Sequence, residues 1–435
     1  MNEKKKKMGF KLILLSILLL PGLQVLFVIG CNSNYLIRLP FFIIICCLIV
    51  LLLVLLILGI NWFIKNRQSN KKKLNKFIKI LFSVFMSFYI IGCITFVILL
   101  YGPNEKFKNW LITTAMQTMN HQYYCKWFYS KDAINDVLDD NYVEESGEST
   151  DTTLIEKQEY KYRKDSYEND YERQILDVED YIKYQIIRLS VNGCNGYLAV
   201  IYDPSKVKLA VTPYVGSRGQ YVTQMAEANN AIIGINGGGF SDPGHNSSGG
   251  APTGITISNG QIITNGQYGY NNQGGGIIGF TNDDVLVLLK NTTAQQALDM
   301  GVRDAVSWGP FLIVNGTPSF IKGNGGWGYA ARTAIGQRAD GIVLLLVIDS
   351  NATRTKGADM VDLTEIMQNY GAINAANLDG GTSSVMVMPK EIAQSQYNAP
   401  CSDYRSDTYC AINDPIDGAL KHQTRPIADA WVVVE

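Results

Sequence analysis

Histidine is nearly absent from this sequence of 435 residues, and charged residues are scarce. The three histidines are too few for a histidine-rich metal cage or a zinc-protease motif. Charged residues make up 18% of the chain, against roughly 25% in average soluble domains. No G-x-S-x-G segment occurs, so nothing indicates the nucleophile elbow of an α/β-hydrolase. No metal-ligand spacing is present either. Neither a metal nor another cofactor is therefore predicted, although outer acidic residues could bind Ca²⁺.

Long apolar runs are abundant in the first 101 residues. They cover about 12–30, 39–60 and 80–100, and the last two contain no charged residue. Crossing a bilayer as a helix takes about 20 such residues. We therefore expect residues 1–101 to form a membrane anchor of three transmembrane α-helices in contact with lipid. An alternative for the first run is a cleaved signal or lipoprotein sequence, because the residues before Cys31 resemble a cleavage box.

Charge is divided unequally between the two parts of the chain. Residues 1–101 hold thirteen Lys and Arg against one acid, or +12, and the remaining residues hold 25 against 38, or −13. Positive charge stays on the cytoplasmic side of a membrane. The prediction is a multi-pass protein of the cell membrane with a cytoplasmic N-terminus and an extracellular C-terminal domain. The acidic balance of that larger part disfavours a nucleic-acid partner.

The chain after the apolar runs divides into a polar segment and a candidate domain. Residues 102–184 are acidic and then rich in Tyr, Lys and Glu, which predicts a polar stalk or linker. Residues 185–435 suffice for one core. Short apolar runs recur there and indicate strands at 197–202, 207–211, 231–236, 285–289, 311–314, 341–349, 372–378 and 427–434. Two helices are predicted, at 221–229 and 360–370. The fold class is α/β, a mixed α+β domain with a β-rich core.

Two local features of this domain allow finer predictions. The second helix is expected to begin at a capping residue, either Asp359 or Asp362. Cys401 and Cys410 close a short loop in the outer part and are the favoured disulfide pair, although the connectivity stays open.

Two apolar strands end in an Asn-led glycine turn. The first leads from Asn236 into Gly237 and Gly238, and the second from Asn377 into Asp379, Gly380, Gly381, Thr382 and Ser383. Glycines in such turns let backbone N–H groups approach an anion. A third segment, Arg332-Thr333, opens a further apolar strand, and a guanidinium beside a hydroxyl suits phosphate. Each feature alone is also common in ordinary turns and surface ion pairs.

Taken together, these segments resemble the phosphodiester glycosidase family in matching order over 189–435. The stretches concerned are INGGGF (235–240), GPFLIVNG (309–316), ARTAIG (331–336), the helix start after Gly357, NAANLDGGTSSVMV (374–387) and TRPIAD (424–429). Thr382 stands where a third glycine is usual in the family. The resemblance implies hydrolysis of a sugar-1-phosphodiester at the sugar C1–O bond, which leaves a phosphomonoester. The expected substrate is a phosphosugar or a surface polysaccharide of exopolysaccharide or cell-wall metabolism.

Within that function each candidate residue has an expected role. Arg332 and the N–H groups of Gly380, Gly381 and Thr382 are expected to hold the phosphate. Asp379 would stabilise an oxocarbenium-like centre or position water, and Asp349 is a second candidate for the base. The expected substrate contacts are Asn236, Gly237, Gly238, Thr333, Asn377 and Ser383.

Other function classes stay open at this point. One alternative is a non-catalytic sugar-phosphate-binding module on a membrane anchor. Another is a glycosyl transferase that uses a phosphosugar donor, and a third is an anchoring or assembly protein. Turnover of a phosphosugar diester would distinguish a hydrolase from the binding module. Transfer products that form with added sugar would identify the transferase.

Overall fold

The computed structural model describes residues 72–117, 122–157, 166–179, 181–241, 248–269, 275–351, 356–399, 401, 405–416 and 424–435. The chain divides into two compact units between Asp139 and Asp140. The predicted spans at 12–30 and 39–60 lie outside the described residues, as do all three histidines.

Helices form the described part of the first unit. They are α1 (Lys72–Tyr101), α2 (Glu105–Met116), α3 (Gln122–Phe128) and α4 (Lys131–Asp139). Asn104 caps α2, because its side chain accepts a hydrogen bond from the N–H of Phe107 at 3.3 Å. Ile112 and Cys125 are fully buried between the helices. A small helical core therefore follows α1 directly.

The third predicted span, 80–100, falls within α1. Among the helices of the described segments, none alone has the length and hydropathy of a membrane span. The pair Ser87–Tyr101 and Glu105–Met116, bent by 76°, meets the requirement together.

Antiparallel strands build most of the second unit. The longer strands are β2 (Tyr184–Val191), β3 (Cys194–Ile201), β4 (Val207–Val211), β5 (Ala231–Asn236), β8 (Ile255–Ser258), β9 (Gln261–Asn265), β10 (Gly276–Thr281), β11 (Leu286–Leu289), β12 (Val302–Trp308), β13 (Phe311–Val314), β16 (Arg332–Arg338), β17 (Val343–Ile348), β18 (Ala372–Asn377), β19 (Met386–Pro389) and β21 (Asp429–Val434). The short ones are β1 (Tyr142–Glu144), β6 (Phe240–Ser241), β7 (Ala251–Pro252), β14 (Thr317–Pro318), β15 (Phe320–Lys322) and β20 (Tyr409–Ala411).

Among the described residues of this unit, five helices accompany the strands. They are α5 (Asp170–Leu176), α6 (Val222–Ala228), α7 (Ala294–Asp299), α8 (Met360–Asn369) and α9 (Lys390–Tyr397). Short 3₁₀ turns lie at Thr152–Leu154, Pro204–Lys206 and Gly381–Ser383.

The strands described above form three large sheets around one core. Their strand orders are β14-β13-β18-β16-β17-β3-β2, β11-β10-β12-β8-β9 and β20-β19-β5-β21-β4. Alternate residues of β17 separate two layers: Val343, Leu345 and Val347 face the core between the sheets, and Leu344 and Leu346 pack in the cluster that holds α8. Both faces of this strand are buried, which explains its unbroken apolar sequence.

The structure agrees with the predicted β-rich mixed α/β class. Strands β4, β5 and β13 have the predicted bounds, and α6 and α8 lie where helices were expected. Asp359 is the N-cap of α8, with Asp362 completing the capping box. The Cys401–Cys410 disulfide is present, whereas Cys125 and Cys194 are free and buried.

The predicted linker at 102–184 takes a different form. Helices α2, α3 and α4 belong to the first unit, and residues from Asp140 onward belong to the second. Ile155 and Ile175 are buried in cores of the second unit. Polar residues after Asp140, such as Glu145 and Thr150, hydrogen-bond to strands within the second unit, so a low apolar content did not mean a solvated spacer.

Glu145 shows how closely this segment is integrated. Its side chain is only 4% exposed and pairs with the Nζ of Lys290 at 2.5 Å. One carboxylate oxygen also accepts hydrogen bonds from the N–H groups of Gly275, at 2.5 Å, and Phe311, at 2.8 Å. Glu145 therefore ties β1 to the starts of β10 and β13.

We expect Glu145→Ala to lower the free energy of unfolding of the second unit by about 2–5 kcal/mol, because two buried N–H groups lose their acceptor. Thermal and denaturant unfolding of the full-length chain measure the loss. The matched control is Glu144→Ala at the neighbouring, exposed acid. Equal stability of the two variants would show that Glu145 does not hold the segment.

Candidate functional site

Strand ends from two sheets meet at the candidate site. In the seven-stranded sheet β16 pairs with β18, and the N–H of Leu378 bonds the carbonyl of Thr333 at 2.8 Å. In the neighbouring five-stranded sheet β5 pairs with β21, so that Asn236 lies opposite Ala430. The N–H of Asp379 bonds the carbonyl of Gly237 at 3.2 Å. The two glycine turns and the Arg-Thr segment predicted from the sequence are thus brought together.

The side chain of Asn236 links these strand ends. Its Oδ1 accepts hydrogen bonds from the Thr333 hydroxyl at 2.7 Å and from the N–H of Val385 at 3.2 Å. Its Nδ2 donates to the carbonyl of Asp379 at 2.7 Å. Asn236 and Thr333 are fully buried. The structure therefore uses both residues to hold the site together, where substrate contacts were expected.

Arg332 is a buried cation fixed by backbone carbonyls. It is 4% exposed. Its Nε donates to the carbonyl of Ala358 at 3.2 Å, and its Nη2 donates to those of Trp327 and Gly328 at 2.5 and 2.7 Å. No carboxylate in the described part of the chain lies within ion-pair distance. Burial lowers the pKa of Arg332 to about 10, so the guanidinium stays charged near neutral pH.

The remaining guanidinium nitrogen, Nη1, faces the second glycine turn. A β-carbon placed on Gly380 would lie 3.4 Å from it. Arg carries five N–H donors, and its three hydrogen bonds here leave from Nε and Nη2, so Nη1 keeps two N–H donors beside the turn that holds Asp379. This geometry suits an anion placed beside Asp379.

Asp379 is a half-buried carboxylate with several groups that stabilise its charge. Burial raises its pKa, and a hydrogen bond from Ser383, the positive charge of Arg425, the N–H of Gly380 and the charge of Arg332 oppose that rise. Gly380 donates to its Oδ1 at 2.9 Å. The charges of two arginines therefore favour the ionised form of this carboxyl.

Two further residues of this site, Arg425 and Asp429, were not predicted as site residues from the sequence. Arg425 donates from Nη1 to the Thr382 hydroxyl at 3.1 Å and lies over the ring of Phe240, 4.8 Å from its centroid. Asp429 is 1% exposed and accepts a hydrogen bond from the N–H of Gly238 at 2.7 Å. An acid at the start of a fully buried strand was the available signal for Asp429. For Arg425 the only signal was its place in the closing stretch.

Tryptophans and a capping acid enclose the Arg332 side of the site. Trp327 lies 5.9 Å from the Arg332 guanidinium, and Trp308 packs edge-on against it with 6.3 Å between the ring centroids. Asp359, the N-cap of α8, acts on the charge of Arg332, and burial raises the pKa of this carboxyl to about 6. Apolar side chains therefore line the site around its charged groups, an arrangement typical of small-molecule sites.

Several predicted substrate contacts are engaged inside the protein. The N–H of Gly381 donates to the carbonyl of Ala331 at 2.8 Å, and that of Gly380 to Asp379 itself. The structure therefore corrects the prediction that these two N–H groups hold a phosphate. Asn377 is fully buried and donates from Nδ2 to the carbonyl of Gly309 at 2.7 Å, while its Oδ1 has no partner in the described part of the chain.

Asp349 lies at the end of β17, next to the strand of Arg332. Its carboxylate accepts hydrogen bonds from the Asn413 side chain at 2.9 Å and from the N–H of Asp414 at 3.0 Å. The residue is 4% exposed. Asp349, the second candidate for the base, therefore holds the loop after β20.

No metal site accompanies these residues within the described segments. There, no group of three or more His, Cys, Asp or Glu side chains is arranged to hold an ion.

The second unit is a β-rich domain with arginine and aspartate side chains buried at the ends of its strands. Residues 229–434 match the family described as phosphodiester glycosidase, and the C-terminal domain of this chain belongs to that family. The match confirms the resemblance seen in the motifs. It begins at the end of α6, later than the start expected from the sequence.

Individual relatives are distant. The chain is 27% identical over 191 residues to the SPbeta prophage-derived uncharacterized protein YomE of Bacillus subtilis, a match over 42% of this chain and 28% of that protein. Among solved structures, the zebrafish N-acetylglucosamine-1-phosphodiester alpha-N-acetylglucosaminidase catalytic domain is 17% identical, with a TM-score of 0.43 and coverage of 59% and 85% of the two chains. A hypothetical protein from Synechocystis is 15% identical, with a TM-score of 0.34 and coverage of 57% and 61%.

We expect Gly239→Ala to disrupt this site, because the added methyl carbon would lie 1.8 Å from Cζ3 of Trp308. The indole must move, and overpacking of this kind costs roughly 1–3 kcal/mol. Near-UV circular dichroism and thermal unfolding measure the change. The control is Gly147→Ala, where nothing lies within 4 Å of the new atom. An unchanged spectrum for Gly239→Ala would mean that the contact between Gly239 and Trp308 is not essential.

Proposed function

We propose that the chain hydrolyses sugar-1-phosphodiesters and breaks the bond between the sugar C1 and the phosphate oxygen. One observation carries the proposal: Arg332 is a buried, carbonyl-anchored guanidinium without an ion-pair partner in the described segments, and its Nη1 faces the turn of Asp379. An unpaired buried cation is costly unless an anion joins it. A phosphodiester supplies that anion and a guanidinium binds it well.

The proposed chemistry follows from the position of Asp379. With the phosphate against Nη1 of Arg332, the sugar C1 lies towards the carboxylate. There Asp379 stabilises the positive charge that develops on C1, or orients the attacking water. Phosphate is a good leaving group, so the usual pair of acid and base at glycosidase spacing is less necessary. Water supplies the new C1–OH group, and its second proton ends on the released phosphomonoester.

The proposed setting combines the family with the predicted topology. If the apolar runs anchor the chain in the cell membrane, the domain meets phosphosugars or surface polysaccharides outside the cell. Exopolysaccharide or wall-polymer metabolism is the corresponding process. A panel of sugar-1-phosphodiesters with different sugars identifies the substrate.

Reaction in ¹⁸O-water tests the bond that breaks. The full-length chain is used, because residues from Asp140 onward belong to the folded second unit. A nitrophenyl phosphosugar diester should yield nitrophenyl phosphate and a sugar that carries the label. Label in the phosphate would instead identify a phosphodiesterase, and no turnover would support a binding module. Transfer products that form with added sugar would indicate a transferase.

We expect Asp379→Asn to lower kcat by about 10²–10⁴-fold, the usual contribution of a positioned carboxylate in acid–base catalysis. The amide keeps an oxygen that can accept the N–H of Gly380, so folding should be intact. Asp349→Asn is the matched control, since that carboxylate bonds a loop. Full turnover by Asp379→Asn would exclude the assignment, and selective loss in Asp349→Asn would transfer the role to Asp349.

We expect Arg332→Lys to raise KM by about 10–100-fold, since an ammonium cannot reproduce the fork that reaches both the backbone carbonyls and the phosphate. Steady-state kinetics and inhibition by phosphomonoesters measure the loss. Arg188→Lys, at an exposed arginine of β2, serves as the control. An unchanged KM in folded Arg332→Lys protein would place the phosphate elsewhere.

A further inference from the structure

Asp429 is a second buried carboxylate next to Asp379, and the proposed bond cleavage does not use it. Its Oδ1 accepts the N–H of Gly238 at 2.7 Å, and its carbonyl accepts the N–H of Gly237 at 3.1 Å. Its Oδ2 is buried and has no hydrogen-bond partner in the described part of the chain. A β-carbon on Gly237 would lie 2.2 Å from Oδ1, so the carboxyl fits there only because position 237 is glycine.

The two aspartates flank the same peptide segment. Gly237 donates its N–H to the backbone of Asp429, and its carbonyl accepts the N–H of Asp379. The charge of Asp379 acts on Asp429 and disfavours its ionisation. Two interacting carboxyl groups that are removed from water rarely ionise together, so we expect the pair to hold one proton.

The environments of the two carboxyl groups decide which one holds that proton. Asp379 is stabilised as an anion by Ser383, by the N–H of Gly380 and by the charges of Arg425 and Arg332. The carboxyl of Asp429 accepts a single N–H, and no cation in the described segments opposes the rise in its pKa. An unpartnered oxygen favours the neutral form of Asp429. Burial raises the pKa of this carboxyl to about 7.

We propose that Asp429 is a positioning residue that keeps one proton beside Asp379, and that loss of this proton weakens the binding of an anionic phosphodiester. The inference rests on the proposed function. While Asp429 is neutral, Arg332 and Arg425 face a single negative charge on the aspartate pair. Once Asp429 ionises, the pair carries two negative charges and repels the phosphate.

Asp359 is the other acid that acts on this group of charges. It faces Arg332 from the start of α8, and Tyr329 hydrogen-bonds to it. The pKa of this carboxyl is raised to about 6 by burial. Its ionisation would therefore affect binding about one pH unit lower than that of Asp429, and a variant of each residue separates the two.

The test is the pH dependence of kcat/KM between pH 5 and 9, measured on the full-length chain with the phosphodiester that it cleaves. We expect the wild-type value to fall about tenfold per pH unit above pH 7, because the binding form of the free enzyme is the protonated one. Asp429→Asn is permanently neutral and keeps an acceptor for Gly238. Its kcat/KM should stay level above pH 7, and the difference from wild type should appear in KM rather than kcat.

Two control variants identify the group that titrates. Asp283→Asn removes one exposed acid and should leave the pH profile unchanged. Asp359→Asn should keep the fall above pH 7. The inference is overturned if Asp429→Asn retains the wild-type fall, or if Asp359→Asn abolishes it.

Thermal unfolding tests, in the absence of substrate, whether Asp429 is protonated in the folded protein. A native carboxyl that titrates near pH 7 holds a proton that the unfolded chain releases near its ordinary value of 3.8. Stability contributed by this proton is complete below that value and is lost as pH rises towards 7. The unfolding midpoint of the second unit should therefore fall more from pH 4 to pH 8 in wild type than in Asp429→Asn.

This measurement separates the two proposals. If the chain hydrolyses no phosphodiester but the unfolding midpoints shift as expected, the proposed function is contradicted and the protonation of Asp429 is supported. Hydrolysis with equal midpoint shifts in both proteins contradicts the role of Asp429. If Asp429→Asn does not fold, a carbon-13 titration of the wild-type aspartate carboxyls decides: a group that titrates near pH 7 supports the inference, and none above pH 6.5 overturns it.

Discussion

The Asn236 side chain is the interaction on which the site depends. It bonds the Thr333 hydroxyl from one sheet, and the N–H of Val385 and the carbonyl of Asp379 from the turn that follows β18. A buried amide makes its full set of hydrogen bonds only in one arrangement of its neighbours, and leaving any of them unmade is costly. This single residue therefore fixes the distance between two sheets and the position of the Asp379 backbone.

Such fixation matters because the charges at this place are buried. Arg332 is held by three backbone carbonyls rather than by a carboxylate, so its position does not depend on a mobile ion pair. In a medium of low dielectric constant, the positions of charged groups decide their interaction energies. A guanidinium fixed in advance loses little on binding an anion, since neither its direction nor its surroundings must be rearranged.

The sequence predicted those parts of the fold that carry a continuous apolar signal. Strand β17 and helix α8 are of this kind, because both are buried on one or two faces by aliphatic side chains. Strand β12 gave no such signal: it contains Arg303 and Asp304, which are buried as an ion pair that also includes Asp284. Pairing makes these charges tolerable inside the protein, but two adjacent charged residues in a sequence are typical of a surface loop. The polar segment around Glu145 was misjudged for the same reason.

The candidate site could be predicted only where its residues follow the motifs. Arg332 and Asp379 lie in distinctive segments, and the structure brings them together. Asp429 completes the site from 191 residues beyond Gly238, its hydrogen-bond partner. Only the register of β21 against β5 brings it there, and that register is a property of the whole sheet.

The glycines of the first turn are explained differently once the structure is known. Their pattern suggested N–H groups open to a substrate anion, but the N–H of Gly237 bonds the backbone carbonyl of Asp429 and the N–H of Gly238 bonds its carboxyl group. The stronger constraint is space: side chains at Gly237 and Gly239 would collide with Asp429 and Trp308. The carboxyl of Asp429 and the indole of Trp308 can therefore lie against these strand ends only because the run consists of glycines. Under the proposed function we therefore expect Arg332 and Arg425, rather than these glycine N–H groups, to meet a substrate anion.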